Sequence, residues 1–99
     1  MKADYDTEAN ALLITLLEGR QSDDGVSVDE HELCNVALSK GTVTSVELLY
    51  PVENLKLLRR AGERFDLDAE ALLAAARAAL AAPDRAVTLD LSGRLAGSR

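Results

Sequence analysis

Residues 33–38 (LCNVAL) and 42–50 (TVTSVELLY) are two apolar alternations separated by Ser39-Lys40-Gly41, and no other feature restricts the fold as strongly. Glycine at the end of such a link supplies positive φ, so the segment reads as a β-hairpin. Parity then fixes its faces. Cys34, Val36 and Leu38 share a side with Val46 and Leu48 only if residues paired across the ladder sum to an even number. That requires an odd loop, Ser39 to Gly41, with Gly41 in a left-handed bulge position.

A second hairpin is expected at the start. Residues 11–17 (ALLITLL) are apolar at nearly every position and include β-branched Ile14 and Thr15. They fit a strand with Leu12, Ile14 and Leu16 on one face and Leu13 and Leu17 on the other. Ahead of it, Asp6 can accept hydrogen bonds from the backbone two or three residues on, reversing the chain so that residues 2–5 pair back as an edge strand. Residues 18–32 are polar and acidic, and Val26-Ser27-Val28 reads equally as a short strand or an extended loop.

Pro51 ends the sheet because it cannot donate to a ladder, and it suits the first turn of a helix running to Arg64. Val52, Leu55, Leu58, Ala61 and Phe65 give that helix an apolar stripe at three- and four-residue spacing. In a second helix Asp68 is the expected N-cap and Leu67 and Leu72 form a hydrophobic staple. Leu72, Leu73, Ala76 and Leu80 are its buried stripe, and Pro83 stops it. Residues 86–91 (AVTLDL) alternate as a half-buried strand. The expectation is one α+β domain over 1–93: an antiparallel β-meander of four to five strands, then two helices and a final strand. Residues 94–99 are expected as a flexible tail.

Ninety-nine residues suffice for one core, and with only Tyr5, Tyr50 and Phe65 as aromatics that core must be aliphatic. The net charge of −6 argues against nucleic acid, which needs concentrated Lys and Arg. The first 32 residues hold nine acids against Lys2 and Arg20, a balance of −7, whereas Lys56, Arg59, Arg60 and Arg64 cluster later. A single cysteine, Cys34, excludes an internal disulfide and fits a reducing compartment. The acidic N-terminal stretch is unlike a signal peptide, and no apolar run approaches the roughly 18 residues of a membrane span, so a cytoplasmic location and no membrane contact are expected.

Few residues are suited to chemistry. His31 lies in DEHEL with Asp29, Glu30 and Glu32, yet one imidazole with carboxylates that alternate in direction is a poor metal set, and no metal or cofactor is expected. Cys34 is three residues from His31, which in a strand places the two on opposite sides, so a small buried side chain is the expected role. Glu47, within VELL, can face Asp4 or Asp6 across the sheet; solvent or an arginine of the following helix is its expected neighbour. Asp29, Glu30, His31, Glu32 and Glu47 are therefore a possible functional surface with no catalytic assignment.

The opening YDTEANALLITL resembles a small bacterial family known as domain of unknown function number 2283, whose members begin with Tyr-Asp, two variable residues, Ala, an acid, Ala, Leu, an aromatic and Ile. The later SVELL is similar to that family's closing strand, with Glu47 at the matching glutamate. Coverage is about half the chain, and the departures are Asn10 for an acid, Leu13 for an aromatic, and a long connection between the two halves. The resemblance implies a compact β-meander and helices after it, with no catalytic residues to carry over.

The chain is thus expected to be a non-enzymatic protein-interaction or homodimerisation module, with an antitoxin-like regulatory partner of another small protein as the alternative. Helices that follow one another tend to pack on one side of a sheet, leaving Leu13 and Leu17 in water. A homodimer seam of Leu13, Leu17, Val87, Leu89 and Leu91 is expected to cover them.

Overall fold

The computed structural model describes residues 1–95 and is an α+β fold. In chain order the elements are β1 (Lys2–Asp6), β2 (Ala11–Thr15), β3 (Asp24–Ser27), β4 (Cys34–Ser39), β5 (Thr42–Leu49), α1 (Pro51–Asn54), α2 (Lys56–Phe65), α3 (Ala69–Ala81) and β6 (Ala86–Thr88). All six strands join one antiparallel sheet in the order β3-β4-β5-β2-β1-β6. The β1–β2 hairpin and the β3–β4–β5 meander meet along β2 and β5, and the last strand returns beside the first.

The opening polar stretch folds as a turn. Asp6 Oδ1 accepts from the amides of Glu8 and Ala9 at 3.0 and 3.3 Å. Tyr5 donates its hydroxyl to Asn10 Oδ1 at 2.7 Å, and Asn10 takes the left-handed position, φ +51°. Small amide side chains tolerate that region better than most.

The central hairpin keeps the expected faces by a different route. Ser39 pairs with Thr42, so the loop is two residues, Lys40 and Gly41, both at positive φ (+50° and +82°). Two such residues match the twist of the flanking strands. The parity is restored further in, where Leu38 opposes Val43 but Ala37 opposes Ser45, and Thr44 is the extra residue of a β-bulge. Beyond it Val36 opposes Val46 and Cys34 opposes Leu48, all fully or almost fully buried on one face. The same bulge shortens β2. The amides of Leu16 and Leu17 both donate to Thr44 O, at 2.8 and 3.1 Å, so the ladder stops at Thr15 instead of running through residue 17.

The acidic connection contributes β3, with Val26 opposite Val36 on the buried face. After β5, Tyr50 takes φ +48° and Pro51 begins α1. The expected single helix over 51–64 is two segments meeting at Leu55, whose carbonyl takes a tight bond from Leu58 N at 3.0 Å. This break puts the first turn out of phase with the rest. Val52 is 67% exposed instead of buried, and Leu57 joins Leu58 and Ala61 inside. Asp68 caps α3 through Ala71 N at 3.1 Å. The burial of α3 is broader than the expected stripe, because Ala71, Ala75 and Ala79 are buried as well as Leu72, Leu73 and Ala76.

The core lies between one face of the sheet and the helices, with α3 over β1 and β2 and α2 over β4 and β5. Leu89 is buried beyond β6, and the chain then doubles back so that Leu95 bridges Leu89. Asp90 Oδ1 holds this turn, accepting from the amides of Ser92 and Arg94 at 2.9 and 3.0 Å. Arg94 and Leu95 are therefore tied to the domain; the remainder of the expected tail, 96–99, lies outside the described residues.

Candidate functional site

Because the helices pack on one side, the other face of the sheet has no helix over it, and among the described residues only 18–22 of the β2–β3 connection border it, beside Leu13, Thr15 and Ser45. Strand register places side chains in rows across it. One row reads Ala86, Asp4, Leu13, Glu47, Asn35, Ser27, and the next Thr88, Lys2, Thr15, Ser45, Ala37, Gly25. On the opposite flank Asp6, Ala11 and Leu49 are aligned, and Leu49 N donates to Leu33 O at 2.8 Å. Leu13, 38% exposed, thus stands mid-sheet between Asp4 and Glu47, with half-buried Ala11 and Leu49 alongside and Leu33 and Ala37 one strand further across.

Glu47 and Asp4 share this face but flank Leu13, two strand spacings apart or roughly 9–10 Å, too far to share a proton. Glu47 instead receives Asn35 Nδ2 at 3.4 Å, and the same amide donates to Glu32 O at 2.8 Å. Asn35 is the residue that links the two glutamates. Sequence reading passed over it, although an amide on the polar side of a strand, opposite a glutamate, was the available signal.

The DEHEL segment divides by role. Asp29 folds the β3–β4 turn: Oδ1 accepts from Cys34 N at 2.8 Å, and Oδ2 from Leu33 N and His31 N at 3.1 Å each. Burial raises its pKa, but the amides of Cys34, Leu33 and His31 and the Ser27 hydroxyl outweigh that and hold the carboxyl below its ordinary value. Glu30, His31 and Glu32 point to water, with His31 Nε2 3.5 Å from Glu30 Oε1. The outer side of this turn borders a groove of about 430 Å3 that also meets Asn54, Lys56 and Arg60 of the helical layer.

Cys34 is fully buried, its Sγ 3.9 Å from Leu57 O, and burial, with the nearby Asp29 carboxylate, pushes its thiol up to about 12. It is therefore a neutral core side chain, separated from exposed His31. Among the described residues no three of His, Cys, Asp and Glu converge as metal ligands, and no helix is long and apolar enough to cross a membrane.

The five residues expected at a dimer seam do not share a surface. Leu13 is on the uncovered face and Leu17, 37% exposed, at its end, whereas Val87 opposes Ala3 on the helix side and Leu89 is buried in the core. Leu91, 74% exposed, lies at the rim of a different groove.

The β3 edge is blunted. Alternation turns the backbone groups of Gly25 and Ser27 away from β4, and they meet the chain's own side chains: Gly25 N donates to Asp24 Oδ1 at 2.8 Å and Ser27 O accepts from Arg64 Nη1 at 3.4 Å. The sheet presents a face more readily than this edge. Comparison with family models, with curated proteins and with solved structures gives no match.

Proposed function

We propose that the chain is a non-enzymatic, cytoplasmic homodimerisation module whose uncovered sheet face receives a second copy of itself. The observation that carries this reading is Leu13 at the centre of a face with no helix over it, between Asp4 and Glu47 and alongside half-buried Ala11 and Leu49. At ~25 cal/mol per Å2, covering Leu13 alone contributes on the order of 1–2 kcal/mol per subunit. A two-fold pairing covers both copies with the same patch and leaves no surface open to further addition. The seam is accordingly smaller than the sequence suggests, using Leu13 with Ala11 and Leu49, without Leu17 or β6. The resemblance of the opening hairpin to domain of unknown function number 2283 accords with a non-catalytic module.

Light scattering at micromolar concentration tests the proposal. The expected mass is twice the 10.6 kDa of one chain, falling to a single chain in Leu13→Glu with the fold retained by circular dichroism. A monomeric wild type in a stable, soluble sample overturns it.

A further inference from the structure

On the helix side, at the end of the sheet opposite the Asp6 turn, a groove of about 320 Å3 opens between the strands and the start of α3. Leu16, Val43, Leu67, Ala71 and Leu72 give it an apolar floor and walls. Its charged side chains, Asp66 and Asp68, are both acidic and exposed, and the Met1 amino group is turned to Leu89 O at 2.8 Å. Leu17 and Leu91 form its lips, exposed by 37% and 74%.

We propose that this groove docks a partner protein's basic amphipathic segment, one or two large apolar side chains entering between Leu17 and Leu91 while flanking Lys or Arg meet Asp66 and Asp68. Charge complementarity selects the occupant: two carboxylates on an apolar slot favour an apolar anchor with cationic neighbours and disfavour an anionic one. The lips select its size. A small molecule filling about 320 Å3 leaves Leu91 in water, whereas a peptide chain lying across the opening covers it. The surface is separate from the Leu13 patch, so it does not depend on dimerisation through the sheet.

The probe is a fluorescein-labelled amphipathic helix of leucine and lysine, compared by anisotropy with the same peptide carrying glutamate for lysine. The lysine peptide is expected to bind the full chain at least tenfold more tightly than the glutamate peptide, with affinity falling as salt rises. Leu91→Gln, at a residue too exposed to unfold the domain, is expected to weaken it about tenfold. Asp66→Asn should weaken it several-fold at low salt and little at high salt, because Asn tolerates the left-handed φ of +54° found there. Leu13→Glu should leave peptide binding unchanged even where it abolishes the dimer, which separates this proposal from the sheet-face reading. No binding of the lysine peptide at 0.1 mM overturns the proposal, as does equal binding of both peptides or an unaltered affinity in Leu91→Gln. Loss of the dimer in Leu91→Gln would instead place a second copy in the groove, which also overturns it.

Discussion

The hydroxyl of Thr44 donates to the carbonyl oxygen of Ala37 at 3.2 Å, at the one place where the β4–β5 ladder loses step. A side chain that is only 4% exposed thus adds a hydroxyl bond to the strand opposite the bulge. Thr44→Val keeps the shape and removes that donor, so a loss of about 0.5–1.5 kcal/mol in urea unfolding is expected. Deleting Thr44 should close the bulge into a regular ladder that still sets Val46 opposite Val36 and Leu48 opposite Cys34, losing only the bonds of Leu16 and Leu17 to Thr44 O; a deletion variant that fails to fold cooperatively would refute this account of the register.

The Lys40-Gly41 turn makes a prediction of opposite sign. Lys40 holds φ +50°, a conformation that asparagine adopts at lower cost, and its only described turn bond is from its backbone amide to Asp23 Oδ2 at 3.0 Å. Lys40→Asn is expected to raise stability by a few tenths of a kcal/mol, up to ~1, and Gly41→Val to lower it, since a β-branched residue is strongly disfavoured at φ +82°. Paired urea midpoints decide both, and a Lys40→Asn variant less stable than wild type would count against the turn geometry.

Asp29 makes the β3–β4 turn sensitive to acid. Its folded pKa lies below the ordinary 3.8, so near and below that value the unfolded chain takes up a proton that the folded chain does not. The contribution is present above the ordinary value and is lost as pH falls toward the lowered one. Asp84, held down by the Thr7 amide and hydroxyl, and Asp90, held down by Ser92 and the Arg94 amide, shift in the same direction. Asp29→Ala should cost about 1–2 kcal/mol at pH 7, because the carboxylate that accepts from three backbone amides is lost. Its deficit relative to wild type should shrink as pH falls below 3.8, whereas a deficit independent of pH would show that the charge on Asp29 does not matter.

The features readable from sequence were those set by local chemistry. Asp6 and Asp68 each cap a turn or helix within three residues of themselves, and Pro51 begins a helix wherever the chain goes next. The parity of Cys34, Val36, Val46 and Leu48 was legible too, because burial demands it. The route to that parity was not, since a three-residue loop and a two-residue loop with a bulge satisfy the same pattern. Val52 stands outside against expectation, and Leu57, which the expected stripe omits, is buried, because the break at Leu55 resets the helical phase and no proline or glycine announces it. The uncovered face was anticipated through Leu13, but the separation of Leu13 from Leu89 required knowing that β6 joins the sheet beside β1.

Cys34 should be inert in the native state. Its thiol is buried and remains protonated up to about 12, so reaction with a disulfide reagent at pH 8 is expected to follow unfolding, its rate rising with urea along the denaturation curve. Between the ordinary 9.0 and about 12 the unfolded chain loses this proton and the folded chain keeps it, so the contribution to stability is complete below 9 and fades as pH rises above it. Rapid labelling without urea would mean that the sheet opens locally at β4. Cys34→Ala and His31→Ala are expected to leave dimerisation intact.

Gly62 sits inside α2, where helix propensity alone predicts that alanine would stabilise by about 1 kcal/mol. Packing predicts the reverse. A Cβ at this position would stand 2.9 Å from Ala69 Cβ, 3.1 Å from Leu67 O and 3.2 Å from Ala69 Cα, and two of those atoms belong to the backbone that turns α2 into α3. The turn is also tied to Gly62 itself, whose carbonyl accepts from the amides of Asp66 and Leu67. The helices therefore cannot separate without stretching these bonds. Overpacking of this kind costs about 1–3 kcal/mol, enough to exceed the propensity gain, so Gly62→Ala is expected to lower the urea midpoint. Removing the opposing methyl should relieve part of the clash, and the double variant Gly62→Ala/Ala69→Gly should show a favourable coupling in a mutant cycle. A Gly62→Ala protein more stable than wild type would mean that the α2–α3 junction yields more readily than its hydrogen bonding implies.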